Sequence, residues 1–347
     1  MKKTFFFLPV LLLSFAAHAQ EKKYKVAIVG FYNLENLYDT IDDPSKDDAE
    51  FLPGGSYRYT GAVYKDKLTH LSDVISLIGA DAFPDGLAVM GCAEIENDTV
   101  LNDLARTPKL VSRHYKIVHH NSPDIRGVDV ALLYNPKYFT PKYSAPLFVE
   151  LFEADGSTPR YTRDVLYVEG QLMGEPVHIF VNHWPSRRGG EEASAPYRAI
   201  AAGVCRHKMD SIFEKNPNAK VILMGDLNDD PVNLSMTKVI KAKGDVKEVG
   251  SGEMYNPWMG YYKQGIGTLA YNDAWNLFDQ IVISPAWLDK NQKGLFYKEA
   301  GIFKKPWMIQ QGGKYKGYPK RTYDFNNYMG GYSDHFPTYL VLLKQTN

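Results

Sequence analysis

The sequence predicts an α+β protein of layered sheets and helices. Strand-length apolar runs alternate with helical patterns early in the chain, and strands follow one another later. Polar residues recur just past the apolar runs. Residues 24–32, YKVAIVGFY, read as the first strand. The stretch 39–64 is polar and rich in Gly, Asp and Tyr, which predicts a long surface loop. Leu68, Leu71, Val74, Ile75 and Ile78 recur at helical spacing, so a helix is expected over 65–79. Further strands are expected at 86–93, 128–134, 164–169 and 177–181, then a helix at 193–214. The last strands are expected at 221–224, 277–284 and 336–343.

A chain of 347 residues has room for two average domains or one large one. No repeat, low-complexity linker or composition break invites a cut, so one domain is expected over 22–347. The first 19 residues read as a secretory signal peptide. Lys2 and Lys3 precede an apolar run too short to span a membrane, and Ala17-His18-Ala19 is a small-x-small cleavage site. Export to a periplasm or to the medium is therefore expected. Losing those two lysines leaves 38 basic residues against 40 acidic, a charge of about −2. Such a chain lacks a global basic field for polyanions. Cys92 and Cys205 are the two cysteines, and both fall in apolar or helical segments that suit buried thiols better than a disulfide.

The chemistry sits at the ends of the apolar runs. FYNLENLYD places Asn33 and Glu35 after the first strand, and GCAEIEND places Glu94 and Glu96 after the next. VNHWPSRRGG ends a strand on His183, LMGDLNDDP carries Asp226 and Asn228, LFDQIVIS opens on Asp279, and GYSDHFP holds Asp334 and His335. Taken singly, each has an ordinary reading as a turn residue, a surface pair or a packed histidine. Together they supply oxygen ligands suited to Mg²⁺ or Mn²⁺ rather than Zn²⁺. His335 with Asp279 as orienter can move a proton, and Asp129 is a weaker candidate to orient His183. Asn228 can donate to a phosphate oxygen or hold water.

The ordered set resembles the endonuclease/exonuclease/phosphatase superfamily, which includes deoxyribonuclease I, repair endonucleases, sphingomyelinases and inositol-phosphate phosphatases. The resemblance covers roughly residues 24–343. It rests on an early Asn, a strand-end Glu, a strand-end His, GD-x-N, a late Asp and a final S-D-H. Two departures stand out: Ala93 replaces the glutamine that often precedes the metal-binding glutamate, and Glu35 stands where many members carry Asp. The resemblance implies a four-layer α/β/β/α sandwich of two mixed sheets flanked by helices, with the site at one edge. It implies Glu94 as main metal ligand, with Asn33, Glu35 and Asp334 on or beside the metal. Mg²⁺ is expected, with Mn²⁺ or Ca²⁺ as alternatives. Asp226 and Asn228 would position water and phosphate, His335 with Asp279 would act on the nucleophile or the phosphorane, and His183 would bind phosphate or assist the leaving group.

The expected activity is an exported, metal-dependent phosphodiesterase, foremost a nuclease acting on DNA or RNA. The runner-up is a hydrolase of lipid or sugar phosphates, for which the near-zero charge speaks. A catalytically dead binding protein on the same fold is the reading of another class, and the intact ligand set argues against it. A monomer without a stable protein partner is expected. Arg126, Arg187 and Arg188 are candidate substrate clamps, the last two from the Gly-rich loop past His183. The segment 303–323 carries six cations, five aromatic residues interleaved with them, and no acid, which suits a single strand or a lipid headgroup. The acidic stretch 39–50 does not have the spacing of an EF-hand.

Overall fold

The computed structural model describes residues 23–346, so the expected signal peptide lies outside the described residues. The chain begins with β1 (Lys23–Leu37), then α1 (Gly61–Leu77), β2 (Leu87–Ile95), α2 (Asp98–Ala105), β3 (Lys116–His119) and β4 (Asp129–Tyr134). A meander of β5 (Phe139–Leu147), β6 (Val165–Leu172) and β7 (Glu175–His183) leads through α3 (Glu191–Lys215) to β8 (Val221–Asp226). Short β9 (Ala242–Lys243), β10 (Met254–Tyr255) and α4 (Trp258–Lys263) precede a hairpin, β11 (Leu269–Tyr271) and β12 (Ala274–Asn276). The chain closes with β13 (Asp279–Ile283), β14 (Leu295–Ile302), the small pair β15 (Tyr323–Asp324) and β16 (Asn327–Tyr328), and β17 (Thr338–Thr346).

Two mixed sheets result. One has six strands in the order β14-β17-β1-β2-β4-β3, the other seven in the order β5-β6-β7-β8-β13-β10-β9. The expected sandwich flanked by helices is what forms. The alternation of side chains along each strand sorts the core. On β1, Val29 and Phe31 face the other sheet, while Ile28 and Tyr32 face outward. On β8, Ile222 and Met224 point inward, and Val221 and Leu223 meet α3. Helix α1 covers the outer face of the six-stranded sheet with Leu68, Leu71, Val74 and Ile75. Helix α3 covers the other outer face with Ala201, Ala202, Cys205 and Met209. Among the described residues no helix is long and apolar enough to cross a membrane.

Both thiols are free and buried. Helix α1 starts four residues before the expected position, because the Thr60 side chain accepts from the Val63 amide and caps it there. The stretch 39–64 is therefore not all loop. Strand β5, FTPKYSAPL, was not expected; its prolines and mixed polarity hide an edge strand.

Candidate active site

The expected polar residues meet at one edge of the sandwich because their strands end there. Asn33 and Glu35 lie near the end of β1, and Glu94 lies near the end of β2, its parallel neighbour. His183 ends β7 and Asp226 ends β8, again parallel, and Asp279 opens antiparallel β13. In register, His183, Asp226 and Asp279 stand side by side on three adjacent strands. Gly225 makes that pairing possible. A Cβ there would lie 2.4 Å from the Asn182 carbonyl oxygen, so only glycine lets β7 and β8 close at this point.

The backbone is strained at this edge. Glu35, Glu94 and Asn228 have φ of +49°, +59° and +48°. Both glutamates sit at interruptions of strand register, between Asn33 and Leu37 on β1 and between Ala93 and Ile95 on β2. A non-glycine residue in this region costs about 1–2 kcal/mol, and such costs cluster where a side chain must be re-aimed.

Asp226 is the hub. Its Oδ2 accepts from Asn33 Nδ2 at 3.0 Å, and its Oδ1 accepts from the Asn228 amide at 3.1 Å. The Nε2 atoms of His183 and His335 flank Oδ2 at 3.7 and 3.8 Å. These gaps exceed a direct hydrogen bond. His335 Nδ1 donates to Asp279 Oδ2 at 2.7 Å, and the Thr268 hydroxyl bonds the same oxygen. Ser333 ties this loop to β1 by donating to the Asn33 carbonyl at 2.8 Å. On the far side, His183 Nε2 is 3.8 Å from Glu94 Oε1, and Glu94 Oε2 accepts the Asn36 amide at 3.0 Å.

The two imidazoles differ in charge. Burial pushes His183 well below the ordinary histidine range, and the cations Arg163 and Arg126 add to this, so it is neutral. Burial opposes protonation of His335 too, but the carboxylates of Asp279 and Asp226 overcome it and hold it well above that range. Burial raises Asp226 to about 6, with His335 pulling the other way and Asp279 and Glu94 adding to the rise. Burial also raises Asp334, yet His335 and Arg321 more than offset that and leave it below the usual carboxylate value.

Asp226, Asp279 and His335 place one donor atom each within 4.8 Å of one another, a candidate metal cluster among the described residues. Within it, His335 Nδ1 and Asp279 Oδ2 already satisfy each other, and Asp279 is fully buried. The Glu94 side of the hub leaves one carboxylate oxygen open. Glu94 retains exposure and uses Oε2 for a single backbone donor, whereas Asn33 Oδ1 accepts the Glu35 amide and Asp334 Oδ2 pairs with Arg321. An all-oxygen donor set of this kind suits a hard divalent ion.

A model of the Endonuclease/Exonuclease/phosphatase family matches residues 28–344. The chain belongs to the endonuclease/exonuclease/phosphatase family. As a member of it the protein is a phosphoric-ester hydrolase. No protein with a curated description matches the chain. Among solved structures, a family protein from Bacteroides thetaiotaomicron is similar at a TM-score of 0.56 and 15% identity, covering 93% of this chain and 97% of that one. A humanized TDP2 of D. rerio gives 0.54 and 14%, covering 91% and 98%. A mannosyl-6-phosphatase from Bacteroides thetaiotaomicron gives 0.53 and 16%, covering 91% and 99%. At these identities the likeness establishes a shared fold.

For this family member, three expectations need correction. Asp129 does not orient His183; it bonds His119 Nε2 on the edge strand β3 at 2.9 Å and the Ser122 amide in the loop that follows. Arg187 is no free clamp. Its guanidinium donates to the Asn228 carbonyl, Glu191 and Asp230, and lies over the Phe278 ring, because its loop brings acids around it. Glu35 is drawn away from a ligand role. Its Oε2 accepts the Thr322 amide at 2.7 Å and lies 4.0 Å from the Lys67 ammonium, while Oε1 is 3.7 Å from Arg321 Nε. Arg126 lies half-buried beside Glu94 and 3.7 Å from Asp124, and Arg188 is exposed.

Several residues of the site went unseen in the sequence. Arg163 is buried and holds the end of β7 through the carbonyls of His183 and Trp184, with Asp124 as counter-ion. Lys67 is 1% exposed and donates to the Thr322 hydroxyl at 2.7 Å. Its position on the stripe of Leu71, Val74 and Ile78 is a signal: a lysine on an apolar helix face needs a partner.

Proposed function

We propose that the protein is an exported, divalent-metal-dependent phosphodiesterase that cleaves P–O bonds by in-line attack of water. The observation that carries this is the Asp226 carboxylate between a neutral and a protonated imidazole, each just short of 4 Å away. Paired groups with opposed proton affinities mark acid and base roles. Asp226 accepts the proton of the attacking water, since its value near 6 suits a base and Asn33 and the Asn228 amide fix its direction. His335, already protonated and held by Asp279, donates a hydrogen bond to a non-bridging phosphoryl oxygen. Neutral His183 and Asn228 orient the phosphate, and the departing oxygen takes its proton from solvent as the P–O bond breaks. Glu94 and Asn33, with Asp334 beside them, would hold Mg²⁺, which when bound neutralises charge on the phosphoryl oxygens.

Two solved neighbours supply substrate classes to test. One is a TDP2 complexed with a single-strand DNA product, and another is a mannosyl-6-phosphatase. Nucleic acid is the first substrate class to test. The balanced charge favours sugar phosphates as a second reading. The test offers the purified chain DNA, RNA, a bis-aryl phosphate and a hexose phosphate with Mg²⁺, Mn²⁺ or Ca²⁺. Activity is expected to vanish with chelator and in Asp226→Ala. Turnover that persists in both defeats the mechanism. Release of phosphate from the monoester alone moves the assignment to the second reading.

A further inference from the structure

Two hollows adjoin the site. The larger, about 500 Å³, lies between the β11–β12 hairpin and the segment 310–329, with the rings of Tyr271, Tyr315 and Tyr318 and the side chains of Gln310 and Lys314 among its walls. The smaller, about 270 Å³, is walled by Tyr57, Tyr323 and Phe325 and reaches Glu35. Tyr315, Arg321, Asp324 and Asp334 line both, so they form the partition between them. That partition abuts the catalytic cluster, since Asp334 Oδ1 is 3.9 Å from His335 Nε2. A phosphate seated there has a hollow available on each side. A monoester has one organic substituent and a diester has two.

The basic segment does not offer a track for a polyanion. Lys304 lies over the rings of Trp275 and Phe336, Lys305 over Phe303, Lys320 donates to the Gly330 carbonyl, and Arg321 pairs with Asp334 at 2.8 Å. With Lys314 over the Tyr315 ring, five of its six cations are thus engaged within the protein. What remains open are rings. Tyr271 is 70% exposed at the tip of its hairpin, and Tyr318 is fixed by a 2.7 Å hydrogen bond to Asp273 on the same hairpin. Rigid aromatic walls with a few polar groups bind a ring face by stacking and its hydroxyls by hydrogen bonds.

We propose that the larger hollow is a subsite for one ring-bearing substituent of the phosphate, a nucleoside or a sugar, and that the enzyme prefers short diesters to long polymers. This rests on the phosphodiesterase reading above. The experiment is calorimetric titration of the purified chain with a dinucleoside monophosphate, a hexose-phosphate methyl diester and a ringless bis-glycerol phosphodiester, at low and high salt. Wild type and Tyr271→Ala are compared, with circular dichroism confirming that this exposed substitution folds. Stacking is worth about 1–3 kcal/mol per ring, so Tyr271→Ala should weaken a ring-bearing ligand roughly 5- to 150-fold. The ringless diester should be unaffected, and salt should change little. Whichever ring-bearing compound loses more affinity identifies the source of the ring. Equal affinity in wild type and variant, or no binding of either ring-bearing compound, overturns the subsite. A long single strand that binds far more tightly than the dinucleoside, with steep salt dependence, overturns the preference for short diesters. Hydrolysis is read separately: Tyr271-dependent binding without turnover refutes the catalytic reading and leaves the subsite standing.

Discussion

Replacing Lys67 by methionine tests the electrostatics beneath the site. Methionine keeps most of the volume and removes the ammonium. Lys67 is 1% exposed, and its partners are the Thr322 hydroxyl at 2.7 Å and the Glu35 carboxylate at 4.0 Å. Removing the ammonium leaves Glu35 uncompensated wherever it stays ionised, which costs about 3–5 kcal/mol above its value of about 7 and less below it. With an unfolding entropy of about 2 cal/mol/K per residue over the ordered chain, 1 kcal/mol is a shift of about 1.5 °C, so the melting temperature should fall by roughly 4–7 °C. Burial, with Asp334 adding to it, raises Glu35 to about 7, against Lys67 and the Thr322 amide. A carboxyl whose folded value is raised is stabilising while protonated, and that stability is lost as pH climbs from 4.5 through about 7. Lys67 is what limits that loss in the wild type. The penalty of Lys67→Met should therefore grow between pH 6 and pH 8.5. Lys67→Met with Glu35→Gln should recover much of it, giving a coupling of about 2 kcal/mol or more in chelator-treated protein. Denaturant unfolding of the four proteins of the cycle at both pH values is the assay. A coupling under about 0.5 kcal/mol, or a penalty unchanged with pH, refutes the claim that this lysine serves Glu35.

His335→Ala should lower kcat by about 10²–10⁴, and it should also lower the melting temperature by a few degrees because buried Asp279 loses its partner, with Asp279→Asn acting in the same direction on kcat; a folded His335→Ala enzyme at full rate excludes the role. With Asp226 as the proposed base, kcat/KM should rise with pH and level off at or below about 6, since a bound cation only lowers that carboxylate; an acid limb at 7 or above excludes Asp226. Glu94→Gln should weaken Mg²⁺ binding at least tenfold in a titration read without substrate, and unchanged affinity moves the metal to the Asp226, Asp279 and His335 cluster. Arg187→Met should cost stability, through its lost bonds to Asp230 and the Asn228 carbonyl, with KM nearly unchanged; a raised KM at wild-type stability restores the clamp.

What could be read from the sequence was what lies along a single strand. GDLN was legible because each letter acts locally: Gly225 admits the neighbouring strand, Asp226 ends the ladder, and Asn228 turns the chain with φ of +48°. His335 with Asp279 was legible as a pair of residue types in the right order. Arg163 was not, because it acts on carbonyls twenty positions away and carries no local pattern. The fates of Glu35 and Arg187 were hidden for the same reason. Each is decided by groups from other segments, the Lys67 ammonium and the Thr322 amide for the one, Asp230 and the Asn228 carbonyl for the other.

Register, more than any single contact, sets the site. His183, Asp226 and Asp279 are neighbours because three strands end in step, and Glu94 turns toward them because β2 slips against β4 just there. The spacing between the sheets then decides whether Asn33 reaches Asp226. Gly91 lies on β2 two residues before Ala93, and a Cβ on it would meet Met224 Sδ at 2.6 Å and both Phe31 and Val181 at 3.0 Å. A side chain at that buried point would have to displace Met224 and press on Phe31 and Val181, straining β2 against β8. The 3.0 Å bond from Asn33 to Asp226 crosses the same gap, so it would lengthen first. The catalytic edge thus depends on an apolar contact that carries no chemistry of its own, and an interior substitution there should disable the base while leaving every catalytic side chain in place.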